Sequence, residues 1–208
     1  MIDQSTFATY LLILLGFVFI PGPAVLLTLA RASASGTRAG IATALGIALG
    51  DVVHTVMAII GISAIIMASA FLFSLIKYMG AIYLVYLGLR ALLEKVECSN
   101  CSVGAPIKPS AAFRQAVLAE VLNPKSALFF LAFLPQFVKP ENGSVSLQLL
   151  VLGVLFVFVG LLSTIIVAIG AGNIGSLLRS KPVIQRWQGK FVGAIYCSLG
   201  VRLAIQEK

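Results

Sequence analysis

Charge is scarce in this chain. Of 208 residues, 15 are Lys or Arg, 7 are Asp or Glu and 1 is His, so charged residues make up 11%. A soluble domain carries about 25%. The deficit rules out an ordinary solvated surface, and no polar stretch is long enough for a separate soluble domain. Three cysteines do not make a disulfide scaffold. With one histidine and no HExxH, GxSxG or Walker A pattern, zinc-hydrolase, serine-hydrolase and P-loop chemistry lose their essential groups. The expectation is a protein that is not an enzyme, with no cofactor and no resident metal.

What is present is apolar length. Hydrophobic residues make up 60% and the mean hydropathy is +1.06. Spanning helices need roughly 20 apolar residues each. Six such runs fit, at about 5–30, 39–62, 70–92, 113–137, 146–172 and 187–205. They are continuously apolar rather than alternating, which excludes barrel strands. The N-terminal run has Asp3 and no basic residue before Arg31, so it reads as an uncleaved first span.

The net charge of +8 sits in loops. Arg31, Arg38, Arg90, Lys95, Lys108, Arg114, Arg179, Lys181, Arg186 and Lys190 follow spans one, three and five, against Lys77, Lys139, Arg202 and Lys208 on the opposite side. The positive-inside rule then puts both termini outside the cytoplasm. Anionic lipid, not nucleic acid, is the partner this charge implies.

One internal repeat stands out. "KYMGAIYLVYLGLRAL" at 77–92 matches "KFVGAIYCSLGVRLA" at 190–204, in spans three and six. An offset of three spans makes the halves inverted, an architecture of secondary transporters. The expected fold is therefore an all-α membrane protein of one domain, with six transmembrane helices as two inverted three-helix repeats. Repeat one covers about 5–93, a loop about 94–112 and repeat two about 113–205. Spans one and four then correspond, and each is broken: one by Pro21-Gly22-Pro23, the other by Asn123-Pro124-Lys125. Proline removes a backbone donor and clashes with the preceding turn. Paired breaks in corresponding segments point to a transport site. A packing kink satisfied by neighbouring helices is the plainer reading of either break alone.

The charges inside the spans sharpen that pointer. Asp51 lies near the middle of span two, His54 three residues on along the same face, and Lys125 at similar depth in span four. Glu120 reads as nearer the cytoplasmic end. A charge at mid-bilayer costs roughly 2.5–3.5 kcal/mol on insertion scales. One reading is a zwitterion site, with Asp51 holding an ammonium or the coupling proton and Lys125 with broken-helix amides holding a carboxylate. The other is a buried Asp51–Lys125 ion pair of structural value only. His54 is a second candidate for proton coupling, or a bundle hydrogen bond. The repeat-related Tyr83 and Tyr196 line the cavity or merely pack. Gly40, Gly46 and Gly50 suit close helix packing. Cys98 and Cys101 form a lone CxxC in the loop after span three, reduced if cytoplasmic and short of a zinc site's second ligand pair.

Pro21-Gly22-Pro23, Lys77-x-x-Gly80-Ala81-x-Tyr83-Leu84 with Leu87-Gly88, Asn123-Pro124-Lys125 and Pro135-Gln136-Phe137 together resemble the lysine exporter family, from about residue 5 to 205. The resemblance implies a bacterial inner-membrane exporter of amino acids driven by the proton-motive force. Read from the residues themselves, the substrate site would draw on Pro21, Gly22, Pro23, Asp51, Asn123, Pro124, Lys125, Tyr83 and Tyr196, with protons handled at Asp51 and His54. The near balance of interior charges favours a neutral amino acid over lysine or arginine. The Cys98–Cys101 loop lies outside the family pattern. It keeps open an exporter of a metal cation or thiol compound using that loop and Asp51. A non-transporting membrane scaffold is the third reading. A homo-oligomer is left open.

Overall fold

The computed structural model describes residues 2–19, 22–68, 70–93 and 106–171, and isolated positions between 190 and 205. Among the described residues no strand occurs. Asp3 starts the first helix: its carboxylate accepts the Thr6 N–H at 2.8 Å. The Lys139 ammonium, 2.7 Å from Asp3 on the exposed surface, holds that carboxyl well below the usual aspartate range.

Helix α1 (Gln4–Phe19) gives way to α2 (Pro23–Ser35) with a 46° change of direction. Proline fits the first helical position, and the residue before it is pushed to extended backbone. Gly22 is accordingly at φ −112° and ψ −171°. Gly36, at φ +85°, ends α2 in a conformation that side chains other than glycine rarely adopt. Helices α3 (Thr37–Ala68) and α4 (Ala70–Leu93) follow.

The fourth expected span repeats the same device. Helix α5 (Pro109–Val121) and α6 (Pro124–Leu128) flank Asn123, at φ −73° and ψ 110°. The segment Pro124–Phe137 leaves α5 at 44°. It continues from α6 through a π-helical turn (Phe129–Phe133) and a 3-10 turn (Leu134–Phe137). The last long helix, α7 (Val145–Ile169), is capped by Ser144, whose Oγ accepts the Leu147 N–H.

Within α3, Thr37–Gly61 is long and apolar enough to cross a membrane, as is α7. Each of the two bent pairs meets the same test jointly. These match expected spans one, two, four and five. The third falls on α4. The sixth lies mostly outside the described residues, though residues 190, 194, 197, 198, 200, 201, 204 and 205 are helical. Helix α5 starts at Pro109 rather than about 113, again because proline suits a helix start. Large apolar side chains such as Leu12, Ile60, Phe71 and Ile169 stand exposed on the outer faces, as lipid contact requires.

Helix α3 is the central element, packed against α5, α7 and α2. Glycine makes this possible. A side-chain carbon at Gly50 would fall 2.6 Å from Glu120 Cβ, and one at Gly40 would fall 2.6 Å from Ala32 Cβ. The main core gathers Tyr10, Leu14 and Phe17 of α1, Phe129, Phe130, Phe133 and Phe137, and Leu149, Leu152 and Phe156 of α7. Ring centroids lie 4.5 Å apart for Phe17–Phe129 and 4.7 Å for Phe129–Phe156. The buried Tyr10 hydroxyl donates to the Leu152 carbonyl at 2.8 Å. The two repeat-related segments also touch: a carbon added at Gly200 would lie 2.7 Å from Val85 Cγ2.

Candidate functional site

Both breaks open onto one recess of about 440 Å3, counting the part open at its mouth. Its walls come from α1 (Phe17, Val18), the first turn of α2 (Gly22 to Val25), α3 (Ile47, Asp51), α5 and α6 (Glu120, Asn123, Lys125, Ser126) and α7 (Phe156, Gly160, Ser163, Thr164).

The second break supplies most of the polarity. Pro124 has no N–H to return to the Glu120 carbonyl four residues back, so that carbonyl must find other donors. It accepts the Asn123 N–H at 3.0 Å and His54 Nε2–H at 2.9 Å. A carbonyl only accepts, so Nε2 of His54 carries the hydrogen. Asn123 works in both directions: Oδ1 accepts the Lys125 N–H at 3.0 Å, while Nδ2 donates to both Glu120 carboxylate oxygens at 3.2 Å. Ser126 Oγ donates to the same carboxylate. Glu120, Asn123 and Ser126 are all buried and form one face at a spacing of three.

Lys125 reaches back to the first break. Its Nζ lies 3.4 Å from the Phe17 carbonyl oxygen and 4.2 Å over the Phe17 ring. A side-chain carbon at Gly22 would fall 2.8 Å from that nitrogen. The ammonium therefore sits beside the start of α2, where the first backbone N–H groups have no intrahelical partner. No ion-pair contact joins Lys125 to Asp51 among the described residues.

Asp51 is 3% exposed. It lines the same recess as the equally buried Glu120, and its Oδ1 has no partner among the described residues. Gly160 leaves room over it: a carbon there would stop 3.6 Å from Oδ2. The site thus holds two carboxyls, one ammonium, three hydroxyls and apolar walls. Such a set suits a small solute with both charges.

Of the residues expected from sequence, Gly22, Pro23, Asp51, Asn123 and Lys125 meet at this recess. Three do not. Pro124 is exposed and acts by creating the break. His54 is buried behind Glu120, stacked on Phe130 at 5.7 Å, and is occupied by the Glu120 carbonyl. Tyr83 is off the recess, with its ring 5.9 Å from that of Tyr86 on the same helix. Pro21, Tyr196, Cys98 and Cys101 lie outside the described residues. Among the described residues no group of three His, Cys, Asp or Glu is placed to hold a metal. The sequence reading missed Ser126, Ser163, Thr164, Phe17 and Phe156, and set Glu120 too near the span's end. The polar triplet at 120, 123 and 126 and the lone Ser-Thr pair in "LLSTIIVA" were the available signals.

Comparison with known proteins agrees. The LysE type translocator family matches residues 15–207. An uncharacterized membrane protein of Vibrio cholerae is 31% identical over 97% of this chain and 98% of its own. Another, of Pseudomonas aeruginosa, is 32% identical over 96% and 95%. The leucine efflux protein of Salmonella typhimurium is 24% identical over 94% and 93%. No solved structure matches. With bent helix pairs, lipid-type outer faces and a polar recess between two breaks, this chain is a multi-pass membrane protein that belongs to the LysE type translocator family.

Proposed function

We propose that this protein exports neutral amino acids from the cytoplasm, coupled to proton entry. The observation that carries the reading is a recess lined both by Lys125, whose Nζ lies beside Gly22 at the start of α2, and by the buried Asp51, whose Oδ1 has no partner among the described residues. An α-carboxylate is attracted by the ammonium and by a helix N-terminus. An α-ammonium is attracted by Asp51. Phe17, Val18, Val25, Ile47 and Phe156 leave an apolar wall for a side chain such as that of leucine, the solute named for the Salmonella relative. Burying such a side chain is worth about 1.5–3 kcal/mol.

The same reading takes six spans in two inverted repeats within the inner membrane, with both termini outside the cytoplasm.

The test is efflux from cells loaded with leucine-containing dipeptides. Asp51→Asn and Lys125→Ala each reduce leucine efflux to the level of cells lacking the protein. Unchanged efflux in both sinks the site assignment.

A further inference from the structure

Glu120 has no part in the substrate contacts just proposed, yet the protein invests heavily in holding it. Gly50 lets α5 approach α3 until Glu120 Cβ and Cγ would stand 2.6 and 2.9 Å from any side-chain carbon placed there. Asn123 Nδ2 and Ser126 Oγ donate to its carboxylate, and His54 secures its carbonyl. All of this holds its carboxyl at the recess that the buried Asp51 also lines, and Asp51 Oδ1 has no partner among the described residues.

An ionised carboxylate only accepts, so two carboxyls that share a hydrogen bond need one proton between them. Two buried like charges lining one recess resist joint ionisation. Among the described residues the other titratable groups around the pair are few. His54 of α3 is behind Glu120, Lys125 of α6 carries the opposing charge, and the Tyr10 phenol of α1 is bonded to the Leu152 carbonyl. The walls from α2 and α7 are Pro23, Ala24, Val25, Phe156, Gly160, Ser163 and Thr164, none of which titrates.

We propose that Asp51 and Glu120 act as one carboxyl pair that holds either a single proton or the substrate's ammonium group, never both. This rests on the amino-acid export reading and deepens it. With the proton in place the pair carries one negative charge and balances Lys125. An arriving ammonium donates its N–H groups to both carboxylates and displaces the proton to water. On the far side, an entering proton displaces the ammonium in turn. One zwitterion leaves for each proton that enters. Glu120 is then the second coupling residue, and His54 is a positioning residue that fixes the Glu120 backbone.

The experiment uses purified protein in lipid nanodiscs, with an equimolar mixture of leucine, isoleucine, valine and threonine as the probe. Infrared difference spectra follow the protonated-carboxyl band, and a pH dye in weak buffer follows proton release. We expect one band, lost in Asp51→Asn and in Glu120→Gln alike, and about one proton released per solute bound. The apparent Kd weakens tenfold per pH unit on the acid side, and Glu120→Gln abolishes both release and slope. His54→Gln keeps an N–H for the Glu120 carbonyl and keeps the slope, which also guards against a Glu120 variant that fails to fold. Binding without proton release overturns the pair, as does loss of the slope in His54→Gln. Two bands removed separately by the two variants also overturn it. A shared band with no solute bound overturns the exclusion through failure of the export reading itself, which is a distinguishable result.

Discussion

The two helix breaks, at Gly22–Pro23 and at Asn123–Pro124, are alike in backbone and opposite in chemistry. Each places an extended residue before a proline at the first helical position, and each bends its pair by a similar angle, 46° and 44°. The first has no side-chain cap; its start offers only Gly22, Pro23 and bare backbone. The second is capped by Asn123 and carries Glu120, Lys125 and Ser126 on its flanks. The difference teaches that a break supplies geometry, while neighbouring side chains decide what the geometry is for. Break one has no charged side chain of its own, and the Lys125 cation of break two reaches across to the Phe17 carbonyl and ring just before it. Break two is a braced polar cluster.

The comparison is broken most sharply by removing the cation. Lys125→Ala does this, and efflux falls to background in the dipeptide-loading assay. Asn123→Ala comes next. It removes a helix cap, worth about 1 kcal/mol, and leaves the Glu120 carboxylate short of a buried donor, which costs about 1–3 kcal/mol. The thermal unfolding midpoint in detergent drops clearly, and efflux drops about tenfold, the factor that 1.4 kcal/mol represents. At break one, Gly22→Ala displaces only the flexible end of Lys125. There KM rises several-fold while the unfolding midpoint holds. Equal stability losses at both breaks would show that the chemical asymmetry is unimportant.

Two smaller effects sharpen the picture away from the breaks. Phe156→Ala enlarges the apolar wall and removes contact with a branched side chain. The preference for leucine over threonine narrows about tenfold, on the order of 1–3 kcal/mol for a buried apolar group, as measured by competition in efflux. Least affected is the outer ion pair. Asp3 titrates below its ordinary value, so its contribution is present above the usual aspartate range and lost only as pH falls beneath it. Because the pair is exposed, that contribution is small. Asp3→Asn therefore lowers the unfolding midpoint slightly at neutral pH, and the difference from the native protein vanishes in strong acid.

Much of this was legible in the sequence because membranes penalise polarity so heavily. Proline pairs, Asp51 and Lys125 stand out against apolar runs, and they do meet at the recess. Depth along a straight span was the wrong ruler for Glu120. The bend at Asn123 and the missing side chain at Gly50 draw it in beside Asp51. For His54 the second of the two readings holds: the carbonyl released by Pro124 takes its Nε2. That demand arises between two helices and leaves no mark in either segment alone. Tyr83 was singled out by repetition, and repetition here marks a helix contact: its segment packs against the matching one through Val85 and Gly200. The hydroxyls of Ser163 and Thr164 carry no charge, so nothing distinguished them from ordinary polar residues of a membrane helix.

The central claim is that a zwitterionic amino acid spans the two breaks, its carboxylate at Lys125 and the start of α2, its ammonium at Asp51. The most direct measurement is inhibition of radiolabelled leucine counterflow in proteoliposomes by two analogues, leucinamide, which lacks the carboxylate, and isocaproate, which lacks the ammonium. Native protein is expected to discriminate strongly against both. In equilibrium binding to the purified variants, Lys125→Ala no longer distinguishes leucine from leucinamide, and Asp51→Asn no longer distinguishes leucine from isocaproate. Equal competition by leucine and both analogues in the native protein would contradict it.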